Sequence, residues 1–227
     1  MMTRLLIFIL SIASYGHMIA QSKSLPKFNA ISTSGSVQVE LVKGSTSKAD
    51  YTILKGDEDD LYIEVKGDEL IVKIKPQVGF WNSSNTKAKV TVYYQNLSSI
   101  DCAAGSSIKS ESEIVSESMD IESSSGANCS IVIKSTDVNV DASSGSKILV
   151  TGSATSVNYD ASSGARIDAA SLVAAEAIAD VSSGATISLY ASKKLNADAS
   201  SGGSIKYKGD PEKTNISSGI SGSIRSY

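Results

Sequence analysis

The sequence predicts an all-β protein: a right-handed parallel β-helix, or solenoid, with two-strand rungs of about 19 residues that follow an irregular N-terminal β region. Three observations predict this fold. A Ser-Ser-Gly motif returns at a nearly constant spacing, apolar residues alternate on both sides of it, and small residues are placed to face large ones.

The repeat is a five-residue motif that starts with a carboxyl or amide side chain and ends with glycine. Its copies are Asp101–Gly105, Glu122–Gly126, Asp141–Gly145, Asp160–Gly164, Asp180–Gly184, Asp198–Gly202 and Asn215–Gly219. The glycines are separated by 21, 19, 19, 20, 18 and 17 residues. One copy is too short to bury an apolar face alone, so we expect the copies to stack, each strand pairing with its equivalent in the next rung.

Apolar residues alternate around each glycine, which is the period of a strand with one buried face. Near Gly145 these residues are Val138, Val140, Ala142, Ile148 and Val150. Ala142 would face Ile148, and Tyr159 would face Ala169, so that small opposes large across a narrow core. The turn needs a positive φ, which glycine adopts without strain, and the predicted turn glycines are Gly126, Gly145, Gly164, Gly184, Gly202 and Gly219.

The chain divides into three segments: a signal peptide at 1–20, an irregular β region at 21–98 and the regular solenoid at 99–227. Ile31–Val37 resembles a degenerate first copy of the turn, so the middle segment is either the start of the same solenoid or a β-domain that caps it. The alternative fold is an antiparallel sandwich of hairpins. Only one turn in two carries the motif, which a stacked solenoid explains directly.

The first twenty residues have the features of a secretory signal peptide. Met1–Arg4 carries a positive charge, Leu5–Ala13 is an apolar run too short to span a bilayer, and Ala20 is a small residue that suits cleavage. The alternative is a buried N-terminal helix. No later stretch is apolar enough to be a transmembrane helix.

Removal of this segment also removes His17, the only histidine in the chain. That excludes histidine-dependent nucleophilic catalysis and the usual histidine-containing zinc sites, and two cysteines are too few for a cysteine-only zinc site. We expect no cofactor. The whole chain has a net charge of −3, and loss of Arg4 leaves 20 basic and 24 acidic residues, or −4, which argues against nucleic acid as a partner.

The chain resembles the head GIN domain family of putative auto-transporter adhesins along nearly its whole length after residue 20. The resemblance rests on Phe28–Val42, Gly67–Val72, Val90–Tyr93 with the following Leu97 and Ile100, and the Ser-x-Gly repeats. The family often has proline where this chain has Gln95-Asn96. The resemblance implies a β-helical fold, export from a Gram-negative cell to the periplasm or the surface, and an adhesive role without established catalytic residues.

Stacking would align one carboxylate of each rung in a column four residues before the glycine. Its members are Asp101, Glu122, Asp141, Asp160, Asp180 and Asp198. The favoured interpretation is that each accepts hydrogen bonds from its own turn. The alternatives are a calcium ladder, with Asp141, Asp160, Asp180 and Asp198 as candidate ligands, and a glycosidase-type pair of carboxylates.

Two further pairs are candidate features. Phe80 and Trp81, in a polar loop, would either bind a ligand or cover the end of the solenoid. Cys102 and Cys129 would form a disulfide or remain as buried thiols in neighbouring rungs. Arg166 and the scattered lysines are expected to be a solvated surface.

Together these observations predict a non-enzymatic exported solenoid that binds a protein or polysaccharide ligand of a cell surface or matrix. It would have no transmembrane segment and could form a homo-oligomer. The alternatives are a carbohydrate-active enzyme of the pectin-lyase type and a structural envelope protein.

Overall fold

The structure is a computed structural model that describes residues 21–75 and 85–227. The predicted signal peptide and the Phe80-Trp81 pair lie outside the described residues. The described chain is almost entirely β and forms a solenoid of about 7 turns, which confirms the predicted fold class.

The strands are named in chain order. The N-terminal region contains β1 Gln21–Ser24, β2 Ala30–Ser34, β3 Val37–Lys43, β4 Lys48–Lys55, β5 Leu61–Lys66, β6 Glu69–Ile74 and β7 Lys87–Tyr94, with a short 3-10 helix at Glu58–Asp60 before β5. The repeat region contains β8 Ser99–Ala103, β9 Ser107–Val115, β10 Ser118–Ser123, β11 Asn128–Ala142, β12 Lys147–Ala161, β13 Arg166–Val181, β14 Thr186–Tyr190, β15 Lys194–Ala199, β16 Ser204–Lys208, β17 Lys213–Ser218 and β18 Ser223–Ser226.

The repeat region is built from two parallel sheets on opposite sides of one core. Strands that run into the Ser-Ser-Gly turns form the first sheet: β8, β10, the second halves of β11 to β13, β15 and β17. Strands that leave the turns form the second: β9, the first halves of β11 to β13, β14, β16 and β18. We name their outer surfaces the entry face and the exit face, respectively.

The core consists of columns of equivalent side chains. One column repeats the position three residues after the turn glycine. It contains Ile108, Cys129, Ile148, Ile167, Ile187 and Ile205, each no more than 2% exposed. Small residues face this column, with Ala142, Ala161 and Ala199 buried on the opposite sheet. Burial of one isoleucine side chain contributes about 1.5–3 kcal/mol, so the column is a major source of stability.

The turns have the dihedral angles of type I′ turns, with positive φ at both central residues. In the copy at Gly145, φ is 51° at Ser144 and 71° at Gly145, and the Ser146 amide donates to the Ser143 carbonyl at 3.1 Å. From the sequence, a positive φ was expected only at the turn glycine. A serine in this region is strained, and it recurs at Ser125, Ser163, Ser183 and Ser201.

The last turn lies two residues later than predicted. Ser218 pairs with Ala199, so Gly219 aligns with Ser200 and takes the first position of the turn, not its centre. The central residues are Ile220 and Ser221, and the Gly222 amide donates to the Gly219 carbonyl at 3.1 Å. The Ser-Ser-Gly at 217–219 is therefore not structurally equivalent to the other copies. Strand pairing determines which residues occupy the turn, and here it differs from the alignment of the sequence motif.

The N-terminal rungs do not stack in chain order. β2 and β3 lie directly on β8 and β9, while β6 and β7, which come later in the chain than β2 and β3, stack on their other side. β5 then pairs antiparallel with β6, and β4 pairs antiparallel with both β7 and β1. These antiparallel strands close the N-terminal end of the solenoid, whereas β17 and β18 each pair on one side only in the described chain.

Two glycine-to-alanine substitutions separate backbone strain from steric exclusion. Both Gly152 and Gly164 have positive φ, but a Cβ at Gly164 meets no heavy atom within 4 Å, whereas a Cβ at Gly152 would collide with the Ile133 carbonyl oxygen of the neighbouring rung. We expect Gly164→Ala to lower the free energy of unfolding by about 1 kcal/mol and Gly152→Ala by about 3 kcal/mol, as measured by urea denaturation. Equal losses would show that the rungs at Gly152 are less closely spaced than described.

Candidate functional site

The six carboxylates of the predicted column align in register along the entry face. Strand pairing joins Asp101 to Glu122, Glu122 to Asp141, and so on through Asp160 and Asp180 to Asp198. The neighbouring rungs end the column with Ser32 on one side and Ser217 on the other. We call this set of six residues the acidic column.

The expectation that each carboxylate is bonded to its own turn is wrong. Within residues 21–75 and 85–227, no side chain of the acidic column accepts a hydrogen bond or forms an ion pair. Several backbone donors of the turn are occupied elsewhere, since the Ser146 amide donates to Ser143 and the Gly145 amide donates to the Ser163 carbonyl at 3.1 Å. The Ser146 hydroxyl points inward and donates to the Ser123 carbonyl at 2.7 Å.

The acidic column lines an open groove of about 250 Å³ beside the turns. Asp101, Glu122, Asp141 and Asp160 form one wall, with Ser124, Ser143 and Ser162 along the turn side. In the part of the chain that the structure describes, no group of three His, Cys, Asp or Glu residues is arranged to hold a metal ion. The calcium candidates Asp141, Asp160, Asp180 and Asp198 lie one per rung and do not form such a group.

The proximity of like charges affects protonation in the acidic column. Partial burial raises the pKa of Asp101, Asp141 and Asp180, and repulsion from the neighbouring carboxylates raises it further. The charge of Asp160 acts on both Asp141 and Asp180. Asp101, Asp141 and Asp180 therefore bind protons more readily than isolated exposed carboxylates.

A second polar column lies beside the first, two residues earlier in each strand. It contains Asp120, Asn139, Asn158, Asn196 and Asn215, interrupted by Ile178. The Asn139 Nδ2 atom donates to the Asp120 Oδ1 atom at 2.7 Å. This column was not predicted from the sequence, although asparagine recurs six residues before the motif glycine at Asn139, Asn158 and Asn196.

The exit face is basic. Pairing places Lys147 beside Arg166 and Lys206 beside Arg225, and all four side chains are exposed. Lys109 lies on the same face and approaches Glu40 at 3.6 Å. Arg166 and these lysines therefore lie on a solvated surface, as expected, while Lys194 and Lys213 lie beside each other on the entry face.

Cys102 and Cys129 are free thiols in the structure, and both are buried. The Cys102 Sγ atom lies 3.2 Å from the Ser106 Oγ atom and 3.4 Å from the Asn128 carbonyl oxygen. Burial, followed by the charge of Cys102, raises the pKa of Cys129 well above its usual range. The structure therefore contains no disulfide between them, and both residues fill the core as thiols.

None of the described helices has the length and apolar character needed to cross a membrane.

Comparison with known proteins finds similarity over most of the chain. The family model described as "putative auto-transporter adhesin, head GIN domain" matches residues 27–211. A Bacteroides fragilis protein described as a putative adhesin has a similar structure, with a TM-score of 0.79, 20% sequence identity, and coverage of 92% of this chain and 96% of that chain. A Parabacteroides merdae putative adhesin gives a TM-score of 0.71 at 16% identity, over 94% and 97% of the two chains. No curated protein matches the chain.

A further similar structure carries a different description. It is a putative lipid binding protein from Parabacteroides distasonis, with a TM-score of 0.72, 23% identity, and coverage of 94% of this chain and 98% of that chain. At these identities the structural likeness shows a shared fold only.

Asp160→Asn tests the repulsion within the acidic column. A raised folded-state pKa means that the folded protein binds protons more readily than the unfolded chain, so stability falls as the pH rises through that pKa. Removal of the Asp160 charge should raise the free energy of unfolding at pH 7 by about 0.5 kcal/mol. The gain should shrink as the pH falls toward the ordinary aspartate pKa of 3.8.

The measurement is urea denaturation at several pH values, with Asp210→Asn as the control, because Asp210 is exposed in a loop away from the column. A loss of stability at pH 7 in Asp160→Asn alone would show that the carboxylate holds the turn after all.

Proposed function

Because the chain belongs to the putative auto-transporter adhesin, head GIN domain family, we propose that it is a non-enzymatic exported adhesin that binds a cell-surface or matrix ligand through one of its flat sheet faces. The single observation that carries the proposal is the register of the repeats. It aligns exposed side chains in columns on a flat surface, so one chemical group is presented many times along the solenoid.

The entry face is the favoured binding surface. The acidic column and the asparagine column run side by side there, and their side chains supply both hydrogen-bond acceptors and amide donors. Repetition of these groups at about 4.8 Å suits an extended ligand with its own repeat, such as a polysaccharide or an extended protein segment. Many weak contacts would then add up to firm attachment.

The enzyme alternative is less well supported. A glycosidase needs one pair of carboxylates with different environments, one to donate a proton and one to stay ionised. Here the carboxylates recur once per rung, four of them line the same groove, and within residues 21–75 and 85–227 none has a side-chain partner that would set one pair apart from the others. A structural role in the cell envelope would use the same sheet faces. It would differ from adhesion only in that the contact with the ligand is permanent.

We place the protein outside the cytoplasm, in the periplasm or at the surface of a Gram-negative cell. This placement is supported by the charged and apolar pattern of residues 1–20 and by the family's description as an auto-transporter adhesin.

A pair of substitutions on β12 tests whether a sheet face binds ligand. Asn158→Arg changes the entry face, and Leu149→Arg changes the exit face, where Leu149 is 44% exposed. The protein, purified after expression of the full chain, would be tested by biolayer interferometry against immobilised laminin, fibronectin, collagen and a panel of bacterial and host polysaccharides. We expect saturable binding to at least one probe, weakened about tenfold by Asn158→Arg and unchanged by Leu149→Arg.

Product analysis of the soluble polysaccharides separates adhesion from catalysis. Release of shortened or unsaturated sugars would contradict the adhesin proposal and favour the lyase alternative. Binding that neither substitution alters would place the ligand away from both sheet faces.

A further inference from the structure

We propose that copies of this protein stack side by side, with the acidic entry face of one copy against the basic exit face of the next. The proposal concerns the contact between copies and does not depend on the identity of the ligand. Because both interactions use the entry face, stacking and ligand binding would compete for it, and only a copy with an uncovered entry face would bind ligand. It rests on three observations: the opposite charges of the two faces, the lack of internal partners for the acidic column, and the positions of the charged columns relative to the turn.

The two faces of the repeat region carry opposite charge. The entry face has the acidic column together with Asp120, Asp137 and Glu176, all exposed or half-exposed, against two exposed lysines, Lys194 and Lys213. The exit face has Lys109, Lys147, Arg166, Lys206 and Arg225 against the carboxylates Glu111, Glu113 and Asp168, and Lys109 is already paired with Glu40 and Glu111. The outward residues of β14, β16 and β18 include no carboxylate, so the basic character is strongest at that end. A flat molecule with one acidic and one basic face is complementary to a second copy of itself.

The acidic column is unfavourable for an isolated copy. Like charges directly opposite each other on paired strands are destabilising, and here the contact repeats at five consecutive steps. No Lys or Arg of the described chain forms an ion pair with any of the six carboxylates. A cation from another molecule would remove this repulsion, and the exit face is a surface of fixed cations that every copy carries.

The positions of the columns allow contact between two copies in the same orientation. The acidic column lies four residues before the turn glycine, and the basic residues lie two or four residues after it, so the columns are at similar distances from the turn edge. With the rungs of two copies level, Asp141 would approach Lys147 of the second copy, Asp160 would approach Arg166, and Asp198 would approach Lys206. Asp168 lies near Arg166 on the exit face and would reduce attraction at that rung only in part.

The contact has the size of a weak but specific interface. Seven rungs spaced by about 4.8 Å and strands of about five residues give a face of roughly 500 Å², or about 1,000 Å² for the two copies, at the lower limit for a specific interface. Its polar nature makes it sensitive to salt. Since the two surfaces differ, the contact is heterologous and can continue into a row of parallel solenoids.

Neutralising substitutions on each face test this assembly. One variant is Asp141→Asn, Asp160→Asn and Asp198→Asn, and the other is Lys147→Gln, Arg166→Gln and Lys206→Gln. Asp210→Asn with Glu212→Gln, and Lys27→Gln with Lys193→Gln, are controls that alter exposed charges outside the proposed contact. The measurement is sedimentation velocity of protein purified after expression of the full chain, over a concentration series at 20 mM and 500 mM NaCl.

We expect the unsubstituted protein and both controls to associate beyond dimers in low salt and to dissociate in high salt. Each triple variant should associate at least about tenfold more weakly. An equimolar mixture of the two triple variants should form one-to-one dimers and nothing larger, because each contributes one intact face. A monomer in low salt at all concentrations, or association unaffected by either triple variant, would overturn the proposal, as would a mixture that remains monomeric.

Discussion

The structure depends on the hydrogen bond that connects each turn to the turn of the next rung. The amide of the turn glycine donates to the carbonyl of the turn serine one rung further on, at 3.0–3.1 Å from Gly105 through Gly184. Both central residues of the turn have positive φ, and the strained serine is the cost of a type I′ geometry. The parallel ladder therefore continues through these turns, and the strand segments next to them keep the same register from rung to rung, while the register shifts occur farther from the turns, at Ser130–Val132 and Leu149–Thr151.

This constant register determines the core and the outer surface together. Because side chains alternate, a register that aligns Ile148 with Ile167 inside must also align Asp141 with Asp160 outside. A shift of one residue would reverse both sets. Repetition for the sake of the core thus produces columns of equivalent positions on the surface, and the sequence places carboxylates throughout one column and basic residues at two neighbouring rungs in each of two others.

Part of this arrangement could be predicted from the sequence, because a motif of fixed period carries register information in each copy. The fold class, the acidic column and the inward Ala142 and Ile148 followed from that period. The lack of hydrogen-bond partners for the acidic column in the described residues could not be predicted. The number of free turn donors depends on backbone hydrogen bonds between rungs, which the motif does not reveal. The order of the N-terminal rungs was equally hidden, because β6 and β7 stack outside β2 and β3 although they follow them in the chain.

The most direct test of the account is the spacing along the acidic column, measured by double electron–electron resonance between spin labels on introduced cysteines. Cysteines at Glu122 and Asp198 are separated by four rung steps and should give a distance of about 19 Å, and cysteines at Asp101 and Ser217, six steps apart, should give about 29 Å. The background would carry Cys102→Ala and Cys129→Ala, with a label-free unfolding control for each variant. Distances that increase by about 4.8 Å for each rung would support the stacked register. Distances unrelated to the number of rungs would contradict it and favour an antiparallel sandwich.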